Sequence, residues 1–194
     1  LFIYMRKNFP GFLILVIGNS GSGKDSIIKG VIEKYSQETP KIHIVQRYIT
    51  RPPSEFEENL AITPKVFKDM DKKHKFALKW KIYGLYYGIP SEIDNWLENG
   101  DLVLVNVSRK IINQARKNYE NVKVVFIQVP FELSVQRLTK RGRESNKKLK
   151  ERLERARKNQ SFPTADTVIN NSGKLDDAIN QFKKYLDALI LNKN

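Results

Sequence analysis

The chain has 194 residues, enough for one globular domain with a sizeable core, and its 40% apolar content argues against wholesale disorder. It has no cysteine, which excludes a disulfide framework and a thiolate metal site and suits a cytoplasmic protein. The longest apolar run, Phe12 to Ile17, is far shorter than the ~20 residues of a membrane-spanning helix, so we expect no membrane partner.

Positive charge dominates the composition and is concentrated in one segment. The formal net charge is +14, which is compatible with a solvated basic surface or with an anionic partner. From Arg137 to Lys158, eleven Lys or Arg stand against three acidic residues, a local net charge of +8. Such a segment suits a nucleic acid or a polyphosphate ligand, and composition does not choose between the two.

Apolar strands alternate with amphipathic helices along most of the chain. The predicted strands are 12–17, 42–45, 101–107, 122–129 and 166–170. The predicted helices are marked by apolar stripes at 27–35, 111–119, 131–140, 149–159 and 175–190. The alternation stops between Pro52 and Gly88, where a helical segment at 64–70 and two aromatic strand-like segments at 76–80 and 83–89 indicate a small insert.

A glycine-rich loop follows the first strand and opens the first helix. It matches the G-x-x-x-x-G-K phosphate loop in its required context. Its glycines let backbone N–H groups turn towards phosphate oxygens, and its lysine reaches the β and γ phosphates. We therefore predict that ATP binds at Gly18, Asn19, Ser20, Gly21, Ser22, Gly23 and Lys24, with Lys24 catalytic.

The loop places this sequence in an α/β class. We predict a P-loop NTPase fold with a five-stranded, mostly parallel sheet and helices on both faces. We expect one kinase domain over 1–194, with a core at about 12–51 and 101–194. The insert, at about 52–100, would bind the acceptor, and a basic helical lid would span about 141–152.

The residues after the loop lysine depart from the usual pattern. The motif expects Ser or Thr there to hold Mg²⁺, but Asp25 follows Lys24 and Ser26 comes next. The strand over 101–107 ends on Asn106 rather than on an acid. Because Mg²⁺ prefers oxygen ligands, we predict that Asp25 or Ser26 holds it. Alternatively, Asp25 only stabilises the start of the helix.

Two further groups of basic residues are candidates for anion binding. Arg47 and Arg51, with Thr50 between them, follow the second strand and could form a forked donor set for an acceptor phosphate. The later set comprises Arg137, Arg141, Arg143, Arg152 and Arg155. We predict that Arg137, Arg141 and Arg152 close over the transferred phosphoryl group. The other basic residues of this segment are predicted to form a solvated helix face: Lys147, Lys148, Lys150, Arg157 and Lys158. Tyr87, beside Gly88, is predicted to contact the acceptor, and His43 and His74 to be structural.

These motifs together resemble the guanylate kinase superfamily from about Phe12 to the C-terminus. The shared residues are the phosphate loop, Tyr87-Gly88, Arg137-Leu138, Arg141-Gly142 and Arg152-Leu153. The sequence is similar in particular to the branch of the ribose 1,5-bisphosphate phosphokinases. The stretches similar to that branch are 21–26, 47–51, 84–88, 92–97, 104–109 and 141–144, and they extend the candidate acceptor residues to Arg109.

The resemblance implies a reaction and its setting. ATP plus ribose 1,5-bisphosphate would give ADP plus 5-phosphoribosyl 1-diphosphate, within phosphonate breakdown and the supply of nucleotide and NAD precursors. The expected partners are ATP, Mg²⁺ and a phosphorylated sugar, without nucleic acid, and the oligomeric state stays open. Guanylate kinases read guanine partly through a Glu and a Ser or Thr at positions that hold Lys79 and Ile89 here.

Three other functions remain as alternatives. Guanylate kinase activity is the nearest. A catalytically inactive guanylate-kinase-like binding module would be expected to lack an intact phosphate loop, which this chain has. A nucleic-acid-binding protein would use the net charge of +14, but no recognition motif accompanies it.

Overall fold

The computed structural model describes residues 6–35, 41–52, 59–141 and 146–191. The strands are β1 (Phe12–Gly18), β2 (Ile42–Ile44), β3 (Tyr48–Ile49), β4 (Leu60–Ala61), β5 (Phe76–Ile82), β6 (Leu85–Pro90), β7 (Leu102–Asn106), β8 (Val122–Gln128) and β9 (Thr167–Asn170). The helices are α1 (Lys24–Glu33), α2 (Pro64–Lys72), α3 (Ile93–Glu98), α4 (Ile112–Asn118), α5 (Phe131–Arg141), α6 (Asn146–Lys158) and α7 (Leu175–Leu191). In these described stretches no helix is long and apolar enough to span a membrane.

A five-stranded sheet has the strand order β2-β7-β1-β8-β9. The pairs β2–β7 and β8–β9 are both parallel, as the alternation of strands and helices predicts. The side chains of β1 from Leu13 to Ile17 are completely buried, which explains the unbroken apolar run in the sequence. The predicted α/β class of the P-loop NTPase type, with a five-stranded sheet, is confirmed.

The described residues form two compact units. The first unit comprises residues 6–15, 41–52 and 59–123, and the second comprises 16–35, 124–141 and 146–191. The predicted insert lies in the first unit, and both the phosphate loop and the basic helices lie in the second.

The first unit contains a second sheet of four strands, in the order β4-β3-β6-β5. β3 pairs parallel with β4 and antiparallel with β6, and β6 pairs antiparallel with β5. Tyr83 and Gly84, both with positive φ, form the turn between β5 and β6. The predicted insert was bounded at about 52, but its sheet begins earlier, because Tyr48 and Ile49 form β3.

The second unit is organised around helices that pack on one another. α1 buries Ile27, Ile28 and Val31 and packs against α7, which buries Ala178, Ile179 and Phe182 among others. Polar contacts continue this packing at the surface, since Lys34 donates to Asp176 and the Tyr35 hydroxyl donates to Asp187 at 2.6 Å. α5 packs against α6, with the Arg157 guanidinium over the Phe131 ring. The loop between β1 and α1 is thus attached to a well-packed helix.

Candidate active site

The phosphate loop connects the end of β1 to the start of α1. Gly23 occupies the N-cap position of α1 with φ 84° and ψ 18°, a left-handed conformation that favours glycine. A Cβ at Gly23 would lie 2.5 Å from Asn171 Nδ2. No side chain caps the helix at this position, and Lys24 is the first helical residue. The predicted strand–loop–helix context of the motif is confirmed.

Side-chain donors hold the carbonyl oxygens of the loop. Lys24 Nζ donates to the carbonyl oxygens of Gly18 at 2.9 Å and Asn19 at 3.1 Å. Arg137 donates to the carbonyl of Gly21 at 3.5 Å. Asn171 Nδ2 donates to the carbonyl of Ser22 at 2.7 Å. Because these carbonyl acceptors are engaged by donors, they repel an incoming phosphate less than bare carbonyls would.

Asn171 is a residue of this region that the sequence analysis missed. It follows β9, is buried, and lies 149 positions from Ser22 in the chain. Its backbone carbonyl accepts from Arg137 Nη2 at 3.1 Å. Asn171 Oδ1 is buried and has no hydrogen-bond partner within the described parts of the chain. A single buried asparagine after a short strand gives no local signal of contact with a distant loop, so only the fold reveals it.

The first turn of α1 presents the two residues predicted to hold Mg²⁺. Asp25 and Ser26 are exposed and follow Lys24 directly. Their carboxylate and hydroxyl oxygens have the donor chemistry that Mg²⁺ prefers, and this ion commonly takes only one or two protein ligands beside nucleotide phosphates. In the described parts of the chain, no group of three or more His, Cys, Asp or Glu is clustered to hold a metal. The residues present therefore fit a magnesium ion shared with a nucleotide.

The predicted lid residues occupy α5 and α6. Arg137 is half-buried on α5 and contacts the loop as described above. Arg152 and Arg155 are half-buried on α6, whereas Lys150, Arg157 and Lys158 are exposed on the same helix. Residues 142–145 of the predicted lid at about 141–152, with Arg143 among them, lie outside the described residues, as does the side chain of Arg141. The lid therefore stays a prediction.

The four-stranded sheet has two chemically different faces. On one face, Phe76 and Tyr86 pack with Phe67 of α2, at ring-centroid distances of 4.5 and 5.3 Å from it. A Cβ at Gly88 would lie 2.4 Å from the Phe76 ring, which explains why glycine follows Tyr87. On the opposite face, Trp80 is paired with Tyr87 across β5 and β6.

Trp80 and Tyr87 form a stacked aromatic pair on that opposite face. Their ring centroids are 5.1 Å apart and their planes differ by 7°. Ile49, the β3 partner of Tyr87, lies on the same face. Trp80 Nε1 is covered and has no hydrogen-bond partner among the residues that the structure describes.

The residues predicted to bind the acceptor all lie in the first unit. Arg47 and Arg51 flank β3, and Arg47 Nε donates to Asn59 Oδ1 at 3.2 Å. Thr50 is buried and its hydroxyl oxygen accepts from the N–H of Tyr86 at 2.9 Å, so it stabilises the β3–β6 pairing. Arg109 begins a 3₁₀ turn that contacts β5, and burial lowers the pKa of its guanidinium.

Lys79 and Ile89, used above to argue against guanine binding, have different environments. Ile89 is completely buried and paired with Leu78, so it offers no hydrogen bond to a base. Lys79 lies on the face opposite Tyr87 and forms an ion pair with Asp71 of α2. The buried Ile89 therefore argues against hydrogen bonding to guanine, whereas the charge of Lys79 is paired with Asp71 on the α2 face and does not bear on guanine at the Tyr87 face.

His43 has the structural role that its isolated position suggested. Its Nε2 lies 2.7 Å from Asp101 Oδ2, and its ring stacks on Trp96 at a centroid distance of 4.4 Å. These contacts join β2, α3 and the start of β7 within the first unit. His74 ends the turn after α2 with a positive φ of 54° and is exposed.

Comparisons with known proteins agree with these motifs. The family model described as guanylate kinase matches residues 11–189. A protein of Pectobacterium atrosepticum named ribose 1,5-bisphosphate phosphokinase PhnN is 38% identical over 177 residues, covering 90% of this chain and 93% of the relative. A protein of Pseudomonas paraeruginosa with the same name is 39% identical over 181 residues, covering 91% and 95%.

A solved structure supports the fold independently. The crystal structure of guanylate kinase from Anaplasma phagocytophilum matches with a TM-score of 0.69 and 17% identity. The match covers 95% of this chain and 88% of that chain. At this identity the likeness concerns the fold, whereas the curated relatives identify the group within the family. The chain belongs to the guanylate kinase family and, within it, to the group of ribose 1,5-bisphosphate phosphokinases.

Proposed function

We infer that the chain transfers the γ-phosphoryl group of ATP to the 1-phosphate of ribose 1,5-bisphosphate. The products are ADP and 5-phosphoribosyl 1-diphosphate. The observation that supports this most is an intact phosphate loop in a chain 38% identical, over 90% of its length, to a protein named for this activity. We place the reaction in the cytoplasm, within phosphonate breakdown and the supply of nucleotide and NAD precursors.

ATP binds through its phosphates at the loop of the second unit. The uncapped start of α1 supplies N–H groups and a partial positive charge. Lys24 exchanges its contacts with the carbonyls of Gly18 and Asn19 for contacts with the β and γ phosphates. Arg137 and Asn171 keep their contacts with the loop, so the loop is ordered before the nucleotide arrives.

The nucleophile is an oxygen of the substrate's 1-phosphate. A phosphomonoester with a second pKa of about 6 is largely dianionic at neutral pH, so its oxygen attacks the γ phosphorus without a general base. A P–O bond forms to the γ phosphorus while the bond to the β-phosphate oxygen of ATP breaks, and ADP leaves with that electron pair. No proton needs to move, and catalysis consists of positioning and electrostatic stabilisation.

The acceptor binds to side chains of the first unit. Arg47, Arg51 and Arg109 supply charge-assisted hydrogen bonds to its two phosphates. The Tyr87 hydroxyl contributes a further polar contact beside the Tyr87–Trp80 pair. The Thr50 hydroxyl oxygen accepts a hydrogen bond from Tyr86 N–H. Its own O–H group can still donate to a phosphate oxygen of the acceptor.

Arg141 and Arg152 stabilise the transferred phosphoryl group. Arg137 of α5 supports them through its contact with the phosphate loop. Phosphoryl transfer between two anions has to offset their repulsion, and arginines at the transferred group provide this. The contacts of Arg137 with Gly21 and Asn171 support a positioning role for it as well.

Asp25 holds Mg²⁺, directly or through a bound water, with Ser26 as the alternative ligand. When bound, the ion neutralises charge on the nucleotide phosphates. The test is Asp25→Asn, which keeps the shape and removes the charge, assayed over a Mg²⁺ titration at saturating ATP. We expect a higher Mg²⁺ requirement and a lower kcat. An unchanged Mg²⁺ curve with a slightly earlier melt would assign Asp25 to helix stabilisation instead.

A coupled assay of ADP release tests the function itself. Ribose 1,5-bisphosphate, ribose 5-phosphate and GMP are compared as acceptors at saturating Mg-ATP. We expect turnover with the bisphosphate and little with GMP, and phosphorus NMR should show a diphosphate on the sugar product. Efficient phosphorylation of GMP with no reaction of the bisphosphate would make the chain a guanylate kinase.

A further inference from the structure

Asn19 connects the phosphate loop to the end of α6. Its Nδ2 donates to the carbonyl oxygens of Ala156 at 3.1 Å and of Asn159 at 3.0 Å. The phosphate-loop motif accepts any residue at this position, so phosphate binding by the loop backbone does not explain an asparagine there. Both N–H donors of the amide are directed at one helix end, which is a specific arrangement for a variable position.

The end of α6 already has donors of its own. The last carbonyls of a helix have no partner within the helix and need other donors. Gln160 Nε2 donates to the carbonyl of Ala156 at 2.5 Å, and Asn159 Nδ2 donates to the carbonyl of Arg155 at 2.8 Å. The carbonyl of Ala156 already accepts from Gln160. The additional bond from Asn19 therefore mainly joins the phosphate loop to α6.

The joined helix contains residues that the proposed function uses. Arg152 lies four residues, about one turn, before Ala156. Ala156 is buried, and Arg157 lies over the ring of Phe131, with 4.9 Å between its guanidinium carbon and the ring centroid. These contacts anchor the C-terminal end of α6. Asn19 links that end to the phosphate loop.

We propose that Asn19 is a positioning residue that couples the nucleotide phosphates in the loop to α6 and thereby to Arg152. When phosphates order the loop, the two bonds of Asn19 restrain the end of α6. Restraint is reciprocal, so a fixed α6 also favours the loop conformation that binds phosphate. The proposal rests on the proposed function only in using a nucleotide at the loop, and it does not depend on the acceptor.

Asn19→Ala and Gln160→Ala separate this coupling from simple helix capping. Both variants remove one side-chain donor to the carbonyl of Ala156, but only Asn19→Ala removes the bond to the loop. If capping were the whole role, Asn19→Ala, which also loses the bond to the carbonyl of Asn159, would lower the melting temperature at least as much as Gln160→Ala, and neither would change kcat. Coupling predicts that Asn19→Ala lowers kcat about tenfold, since small misplacements of catalytic groups cost up to 10²-fold, while Gln160→Ala stays within twofold of the wild type.

Hydrogen exchange gives a second measurement that needs no acceptor. Saturating ADP should slow amide exchange of both α1 and α6 in the wild type and in Gln160→Ala. In Asn19→Ala, ADP should still protect α1 while the protection of α6 is lost. The proposal is wrong if wild-type α6 shows no ADP-dependent protection, or if Asn19→Ala retains both that protection and its kcat. Failure of the wild type to use ribose 1,5-bisphosphate would instead refute the proposed function and leave these results interpretable.

Discussion

The phosphate loop and the four-stranded sheet are both assigned to anions, but they are built in different ways. The loop is seven consecutive residues whose backbone is proposed to bind the phosphates, and the side chains of Arg137 and Asn171, from distant parts of the chain, donate to its carbonyls. The sheet offers side chains from separate strands, and its candidate residues run from Arg47 to Arg109. A site made of backbone can be recognised locally in a sequence, whereas a site made of side chains depends on which strands pair.

The two regions also distribute their stability differently. The loop depends on a few hydrogen bonds to Lys24, Arg137 and Asn171. The sheet depends on packed apolar side chains on both faces, with aromatic rings on the α2 face and the buried Ile49 and Ile89 on the face of Tyr87. We therefore expect variants at the loop to change catalysis most and variants on the aromatic face to change stability most.

The largest effect should come from Lys24→Ala. Losing one preorganised charge contact to a transition state typically costs on the order of 10²–10³ in rate. We expect kcat to fall by this factor, measured by ADP release, while circular dichroism shows an intact fold and only a small fall in melting temperature from the two lost bonds to the loop carbonyls. Lys29→Ala, an exposed lysine on the same helix, is the control. Near-native kcat in Lys24→Ala would remove the lysine from the mechanism.

Arg47→Ala and Arg152→Ala should affect different kinetic constants. A hydrogen bond to a charged group contributes about 1.5–3 kcal/mol, so Arg47→Ala should raise KM for the sugar bisphosphate by about 10- to 100-fold. Arg152→Ala should mainly lower kcat, because its contact strengthens in the transition state. Arg116→Ala, at another arginine of the first unit, is the control for Arg47. The opposite pattern would mean that the two roles are exchanged.

Gly88→Ala should lower stability through the aromatic face of the sheet. Its new Cβ would lie 2.4 Å from the Phe76 ring, and overpacking of this kind costs about 1–3 kcal/mol. We expect the melting temperature to fall by about 2–4 °C per kcal/mol. Gly173→Ala is the control, since its Cβ would meet only Asp177 Oδ2 at 3.8 Å. Equal melting of the two variants would contradict the packing described for this face.

Tyr185→Phe should have the smallest effect, visible only at alkaline pH. Burial, with a contribution from the charge of Asp166, raises the pKa of Tyr185 to about 12. Below pH ~10, Tyr185 is protonated in both the folded and the unfolded state. Between pH ~10 and 12 it ionises in the unfolded state but not in the folded state, so the free energy of unfolding falls as the pH rises. Urea midpoints from pH 9 to 11.5 should fall less steeply in Tyr185→Phe. An identical slope would mean that Tyr185 ionises alike in both states.

The elements that could be predicted are those whose patterns are long and local. The strand over 12–17 and the helix over 175–190 were predicted because buried strands are apolar throughout and amphipathic helices repeat at 3.6 residues. β3 and β4 have two residues each and exist only through pairing with distant strands, so no local pattern marks them. The helix α3, with six residues, is likewise too short for a clear period.

In the candidate active site, too, local patterns could be predicted from the sequence and long-range contacts could not. The phosphate loop was predicted in full, but Asn171 and the second role of Asn19 were not, because each contact crosses more than a hundred positions of the chain. The sequence alone does not predict on which face of the sheet Lys79 lies. That face follows from the register of the β5–β6 hairpin, since a shift of one residue reverses the faces. The motif therefore predicts the strand–loop–helix backbone, which is confirmed, whereas the orientation of a single side chain such as Lys79 requires the strand register.

The separate surroundings of the two tryptophans make them independent optical reporters. Trp96 stacks on His43, which also contacts Asp101, so its emission should report the packing between β2, α3 and the start of β7. Trp80 stacks on Tyr87, on the sheet face assigned to the acceptor, so its emission should respond to the sugar bisphosphate. Trp96→Phe would leave Trp80 as the single indole in a chain with two tryptophans, and acceptor binding could then be titrated by intrinsic fluorescence without turnover.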